Sequence, residues 1–271
     1  PSSQKSFLKK KGTQNFFNVL KDDEKFSRLD LDIDKLKDNY NLDYEEFTVN
    51  SFYKYLAKTY LKKKKKQIIG DKDPRNLENV RKLNILFPES FFIHLIRDPR
   101  DIVLSKTKAN WSKNRPFWVH AFISNTQYNI GVRQIRNQLV NKSIEVKYEE
   151  LIEHPKRKLS EICMQIGVEF DDEMLNFGKS AKELVSESEM QWKKETLGPI
   201  LKTNKFKWQN ELSIFHVELI NSICYRFIKD NKYEMGKHNL YRVLFTVFPI
   251  FRITAVLFTQ FYKLFNFFNK K

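Results

Sequence analysis

Apolar residues in the first quarter of the chain recur at helical spacing between charged turns: Phe16, Phe17 and Leu20, then Phe52, Tyr55, Leu56 and Tyr60. The pattern predicts helices from Asn15 to Leu61, a helical cap over a sheet. Five consecutive lysines, Lys62 to Lys66, close this segment. Cations suit the negative end of a helix dipole, and the other reading is a contact with an anionic surface. The period then changes. Gln67-Ile68-Ile69 is a short strand candidate. Phe91-Phe92-Ile93-His94-Leu95-Ile96 is an unbroken apolar run bounded by Pro88 and Pro99, the pattern of a parallel strand buried on both faces. Asp98 stands at an N-cap position and Pro99 at the first helical position, so a helix opens directly after this strand. Arg115 to Leu139 reads as a long helix, with Trp118, Phe122, Tyr128 and Ile135 near one stripe. Ile144, Val146 and Tyr148 alternate as a strand and Glu149 begins the next helix. Leu159, Ile162, Cys163 and Ile166 then form an apolar face that ends at Gly167, a C-cap. Alternating strands and helices predict an α/β domain with a parallel sheet and helices on both faces.

The last thirty residues break this alternation. From Leu240 the chain is rich in Phe and Leu, interrupted by Arg242, Pro249, Arg252 and Lys263. Val243 to Tyr262 is long enough to span a bilayer, but an arginine near its centre costs about 2.5–3.5 kcal/mol there. Helices lying in the membrane interface, or docking onto the core, are the two readings. The expected division is therefore 1–238 as the α/β domain and 239–271 as an apolar, basic helical tail.

Charge narrows the partners. The 49 Lys and Arg against 33 Asp and Glu leave +16, a surface that attracts nucleotides, sulfated or phosphorylated acceptors, or acidic lipid. Cys163 and Cys224 belong to no C-x-x-C or Cys/His cluster, which argues against a disulfide framework or a zinc site and suits a reduced, cytoplasmic chain. The seven glycines form neither G-x-G-x-x-G nor a P-loop. His94, inside the apolar strand, reads as a core histidine. Glu149 and Glu150 read as ordinary acidic residues of a first helical turn rather than an acid–base pair.

The candidate chemistry gathers after the strand that ends at Ile96. The helix starting at Pro99 would turn its free N–H groups toward that end, where an anion binds well. Arg97 adds a full charge, and Ser105 falls on the helical face shared with Asp98 and Asp101, so Arg97 and Ser105 could grip one phosphate. This segment resembles the nucleotide-binding core of sulfotransferases that use 3'-phosphoadenosine 5'-phosphosulfate (PAPS), where an Arg and a Ser at this spacing hold the 3'-phosphate. Gly70-Asp71-Lys72-Asp73-Pro74 is similar to the GEKTP or NKDP element of bacterial and tyrosylprotein sulfotransferases, whose Lys faces the transferred sulfuryl group. Val146 to Pro155 resembles the RYEDL-x-x-x-P element, whose Tyr lies near the adenine. Lys202 to Leu212, KTNKFKWQNEL, resembles the late segment in which a basic residue before Trp closes over the 3'-phosphate.

The resemblance implies a P-loop-NTPase-like fold and sulfuryl transfer from PAPS to a hydroxyl or amine acceptor, without a metal. It implies Lys72 as the catalytic residue, and Arg97, Ser105, Tyr148 and Lys207, with Lys205 as its alternative, as cofactor-binding residues. Small molecule, glycan, lipid or peptide remain open as acceptor, nucleic acid is not expected, and the tail makes a membrane surface a candidate partner for a peripheral protein. The family's PRSGTT-type phosphosulfate loop is not among these residues, while Pro1 to Phe7 resembles the PPESxF segment that follows it. A further N-terminal segment carrying that loop and the first strand is therefore expected. Two rivals stand beside this reading: a metal-dependent glycosyltransferase using Asp71 and Asp73, and a non-catalytic, membrane-associated nucleotide-binding relative.

Overall fold

A computed structural model describes residues 16–43, 48–110, 112–139, 141–178, 198–235 and 253–261. The chain divides into two compact units at the Asp73–Pro74 junction. The expected boundary at 238/239, the Pro1–Phe7 resemblance and most of the 239–271 tail lie outside the described residues.

The first unit is helical, as its apolar period predicts. Helical residues 16–21 and a turn at Glu24–Ser27 precede α1 (Ile33–Asp43) and α2 (Val49–Lys64). Phe16, Phe17, Phe26, Ile33, Leu36, Tyr40 and Phe52 form its core. Phe52 receives both Phe16 and Phe17 edge-on at 5.5 and 5.1 Å, the geometry that aromatic quadrupoles favour. Thr48 and Ser51 make a capping box at the start of α2, and Lys62, Lys63 and Lys64 fill its last turn. Lys65 caps the helix in the left-handed region, and Lys63 pairs with Asp30.

The strand expected at Gln67-Ile68-Ile69 is not there. Residues 66–73 contain no strand, and Ile68 and Ile69 are exposed. A strand exists through its ladder partner, and no described strand pairs with this stretch. Two isoleucines beside a glycine supply too little apolar surface to hold an extended segment without one.

The second unit is built on a two-stranded parallel sheet, β1 (Phe92–Ile96) and β2 (Ser143–Lys147), in register from Phe92↔Ser143 to Ile96↔Lys147. Helix α3 (Asn76–Leu86) precedes β1. Helices α4 (Pro99–Lys108) and α5 (Phe117–Gln138) connect the strands, and α6 (Tyr148–Glu153) and α7 (Pro155–Ile166) follow β2. After a 3-10 turn at Asp172–Asn176 come α8 (Trp208–Glu211), α9 (Ile214–Ile223) and α10 (Tyr225–Asp230). Ile96 joins Val103, Ala121, Phe122, Tyr128, Leu219, Ile220 and Phe227 in the main core.

β1 departs from the expected two-faced burial. His94 and Ile96 are buried, whereas Ile93 and Leu95 on the other face are each 50 % exposed. An unbroken apolar run cannot say by itself how many faces are covered; that depends on elements distant in sequence. His94 behaves as a core histidine, with Nδ1 3.1 Å from Glu145 Oε1, and Arg136 takes the other oxygen of Glu145 at 2.8 Å. Helix α7 ends at Gly167 with φ +73°, and the N–H of Val168 reaches back to the Cys163 carbonyl at 2.9 Å, the C-cap that the sequence predicts.

Gly131 sets how closely α3 lies on α5. A methyl group there would come 2.1 Å from Leu77 Cδ1 and 3.0 Å from its carbonyl oxygen. Helix propensity alone favours alanine by about 1 kcal/mol, so a loss would report crowding. Gly131→Ala is expected to destabilise the protein by roughly 1–3 kcal/mol, read as a lower urea midpoint. A raised midpoint would show that α3 gives way.

Candidate functional site

Register places the site. Because Ile96 pairs with Lys147, the next residues, Arg97 and Tyr148, leave neighbouring strand ends side by side. Arg97 Cζ lies over the Tyr148 ring, 4.5 Å from its centroid. Arg97 Nη2 donates to the Asn204 carbonyl at 3.1 Å, and Asn204 Nδ2 donates to the Tyr148 hydroxyl at 3.0 Å. The guanidinium is thus held between a ring and a backbone oxygen, 21 % exposed. Its Nε is buried and has no hydrogen-bond partner among the described residues. That buried donor lacks the partner such groups ordinarily have.

The N-terminus of α4 does not supply the anion site expected of it. Asp98 caps the helix, accepting from the Arg100 N–H at 2.9 Å, and Asp98's own N–H donates to Glu149 Oε1 at 2.9 Å. Tyr233 donates to the other Glu149 oxygen at 2.9 Å, and burial first, then the Glu149 charge, pushes its hydroxyl far up, keeping it a donor. Two of the first N–H groups therefore already face carboxylates, so an anion at this mouth depends on side chains. Glu149 serves the β1–α4 junction, and Glu150 pairs with Lys158. Neither arrangement resembles an acid–base pair.

Beneath the mouth is a buried ion pair. Arg100 donates to Asp98 from Nε at 2.9 Å and from Nη2 at 2.7 Å, and its Nη1 reaches Asn221 Oδ1 at 3.3 Å. Its Cζ lies 3.7 Å from the centre of the Trp208 ring. Asp101 then ties in the late loop, accepting from the N–H groups of Phe206 at 2.6 Å and Trp208 at 3.0 Å. Burial pushes the Asp101 carboxyl above its ordinary value, against the pull of the Trp208 N–H and Arg97. Phe206 sits at φ +54°, a region costly for a bulky residue, and the two hydrogen bonds hold it there.

The candidates divide accordingly. Arg97, Tyr148 and the segment carrying Lys205 and Lys207 are brought together. Lys205 is committed to Glu153, and Lys207 is the half-buried N-cap residue of α8. Ser105 is exposed, one turn past Asp101 on α4. Lys72 is exposed in the first unit, without a hydrogen bond or ion pair among the described residues, and its neighbours Asp71 and Asp73 both have partners. The sequence places Asp98 at the N-cap and Asp101 on the face of Ser105, but the Asp98–Arg100 pair, the grip of Asp101 on the late loop and the part played by Asn204 carry no local signal.

The sequence profile described as the sulfotransferase family matches residues 5–172. Among solved structures, the chain is similar to the sulfotransferase domain from the Synechococcus PCC 7002 olefin synthase. The TM-score there is 0.56 and the identity 19 %, over 78 % of this chain and 74 % of that one. It is also similar to the sulfotransferase domain from the curacin biosynthetic pathway, with TM-score 0.55 and 16 % identity over 83 % and 80 % of the two chains. A search of curated proteins finds no match.

Proposed function

The chain belongs to the sulfotransferase family, and from that premise we propose that it transfers a sulfuryl group from PAPS to a hydroxyl or amine acceptor. The observation that carries the PAPS reading is Arg97: a mostly buried guanidinium, fixed by Tyr148 and Asn204, with an unpartnered Nε. Its Nη2 alone is used by Asn204, which leaves donors for a phosphate. The exposed Ser105 hydroxyl suits the same anion. Lys207, or Lys205 on release from Glu153, closes over it. Tyr148 both orients Arg97 and offers a ring edge to a base.

When bound, PAPS supplies the sulfuryl group and an adenosine 3',5'-bisphosphate leaving group. The chain's own work is positioning and charge. Arg97, Ser105 and the late loop anchor the nucleotide through its 3'-phosphate, and Asp101 holds that loop through two backbone N–H groups. Lys72, the catalytic residue that the family resemblance implies, would supply a cation to the bridging oxygen of the bound donor. Such transfers depend on fixed cations more than on covalent help.

Calorimetry of adenosine 3',5'-bisphosphate against AMP tests this reading. The bisphosphate is expected to bind about ten- to a hundredfold more tightly, the gain from charged hydrogen bonds to the extra phosphate. Equal affinity would remove the 3'-phosphate assignment.

A further inference from the structure

Residues 253–261 form a helix whose two faces have opposite surroundings. One face is committed to the protein. Ala255 and Thr259 are buried, Ala255 belongs to the main core, Thr259 Oγ1 lies 3.3 Å from Thr126 Oγ1 on α5, and Phe258 packs on Phe122 at 5.3 Å. The opposite face carries Ile253, Val256, Leu257 and Phe261, at the spacing of one helical stripe. These side chains are 61, 61, 61 and 67 % exposed. Single exposed hydrophobes are ordinary, but a stripe of them on a pinned helix marks an interaction surface.

Charge selects the occupant. From Met235 to Lys271 the chain holds six Lys and Arg and no Asp or Glu, and the whole chain carries +16. A second copy would bring the same positive charge to the contact, so self-association is opposed. An anionic bilayer is complementary on both counts, offering headgroups to the lysines and arginines and acyl chains to the stripe. With its Thr259 face pinned to α5, the helix would lie in the interface plane. We propose that the Ile253–Val256–Leu257–Phe261 face seats the protein on an anionic lipid bilayer.

The test is co-sedimentation of the full chain with vesicles of phosphatidylcholine containing phosphatidylserine, against phosphatidylcholine alone. The mixed vesicles should bind the protein at least tenfold better, with binding reduced by high salt because the headgroup attraction is screened. Val256→Glu and Phe261→Glu, both at exposed positions, should each lower binding about tenfold with an unchanged circular dichroism spectrum. A third variant guards against misfolding. Cys163 and Cys224 are both buried, so Leu257→Cys accepts an environment-sensitive dye selectively, and its emission should shift to the blue on the mixed vesicles. The proposal is overturned if the chain ignores the mixed vesicles, if both glutamate variants bind as the parent does, or if the dye reports water throughout. It is equally overturned if the parent is a dimer in light scattering that Phe261→Glu dissociates, with no vesicle binding.

Discussion

Lys72→Ala is expected to lower sulfuryl transfer about 10²–10³-fold, the range seen when one preorganised charge-stabilising donor is removed. Affinity for adenosine 3',5'-bisphosphate should stay unchanged. The two readouts separate because the bisphosphate lacks the sulfuryl group, so an interaction made only with that group is lost from turnover and not from product binding. The structure makes the substitution clean. Lys72 is exposed and makes no hydrogen bond or ion pair among the described residues, so truncation removes no structural contact and the melting temperature should hold. Lys72→Arg, which keeps the charge but changes its shape, should recover part of the rate. Turnover equal to the parent's would make Lys72 a solvated surface lysine and leave the cation of the reaction to another residue.

Asp98→Ala should have the largest effect on stability, about 3–5 kcal/mol, because it strands a charge inside the protein. Asp98 and Arg100 are both fully buried. The aspartate takes two hydrogen bonds from the guanidinium and one from the Arg100 N–H. Without it, Arg100 keeps only Asn221 and the Trp208 ring, neither of which carries a compensating charge. For a chain of this size the melting temperature should fall by roughly 10 °C. Trp208 sits on Arg100 and begins the helix after the late loop, so bisphosphate affinity should fall as well. A loss below about 1 kcal/mol, typical of a surface pair, would show that water reaches this pair.

Local signals carried the reading of the β1–α4 junction, and long-range ones defeated it elsewhere. Asp98 as N-cap, Pro99 at the first helical position and Gly167 as C-cap are each decided within a few residues, and each stands where the sequence predicts. That Arg97 and Tyr148 belong to one site is implied only by the family resemblance, which gives both to the cofactor, and their direct contact is not foreseen. Nothing local says that β1 and β2 pair in the register that sets those residues side by side. The half-exposed Ile93 and Leu95, and the missing strand at Gln67-Ile68-Ile69, share one cause: both depend on what lies across the sheet, and a run of apolar residues does not specify its neighbours. The sequence places Asp101 on the helical face of Ser105, but its role is to accept N–H groups from residues 105 and 107 positions later. In KTNKFKW charge singles out the lysines as phosphate ligands. The residue that reaches both Arg97 and Tyr148 is the uncharged Asn204.

The most direct test of the central claim is the affinity of the parent and of Arg97→Ala for adenosine 3',5'-bisphosphate and for AMP, measured as a four-way cycle by calorimetry. If Arg97 grips the 3'-phosphate, the substitution lowers bisphosphate affinity about ten- to a hundredfold and leaves AMP binding nearly as it was. The parent's preference for the bisphosphate then collapses. Equal weakening of both ligands, or of neither, would contradict the account and place the 3'-phosphate elsewhere.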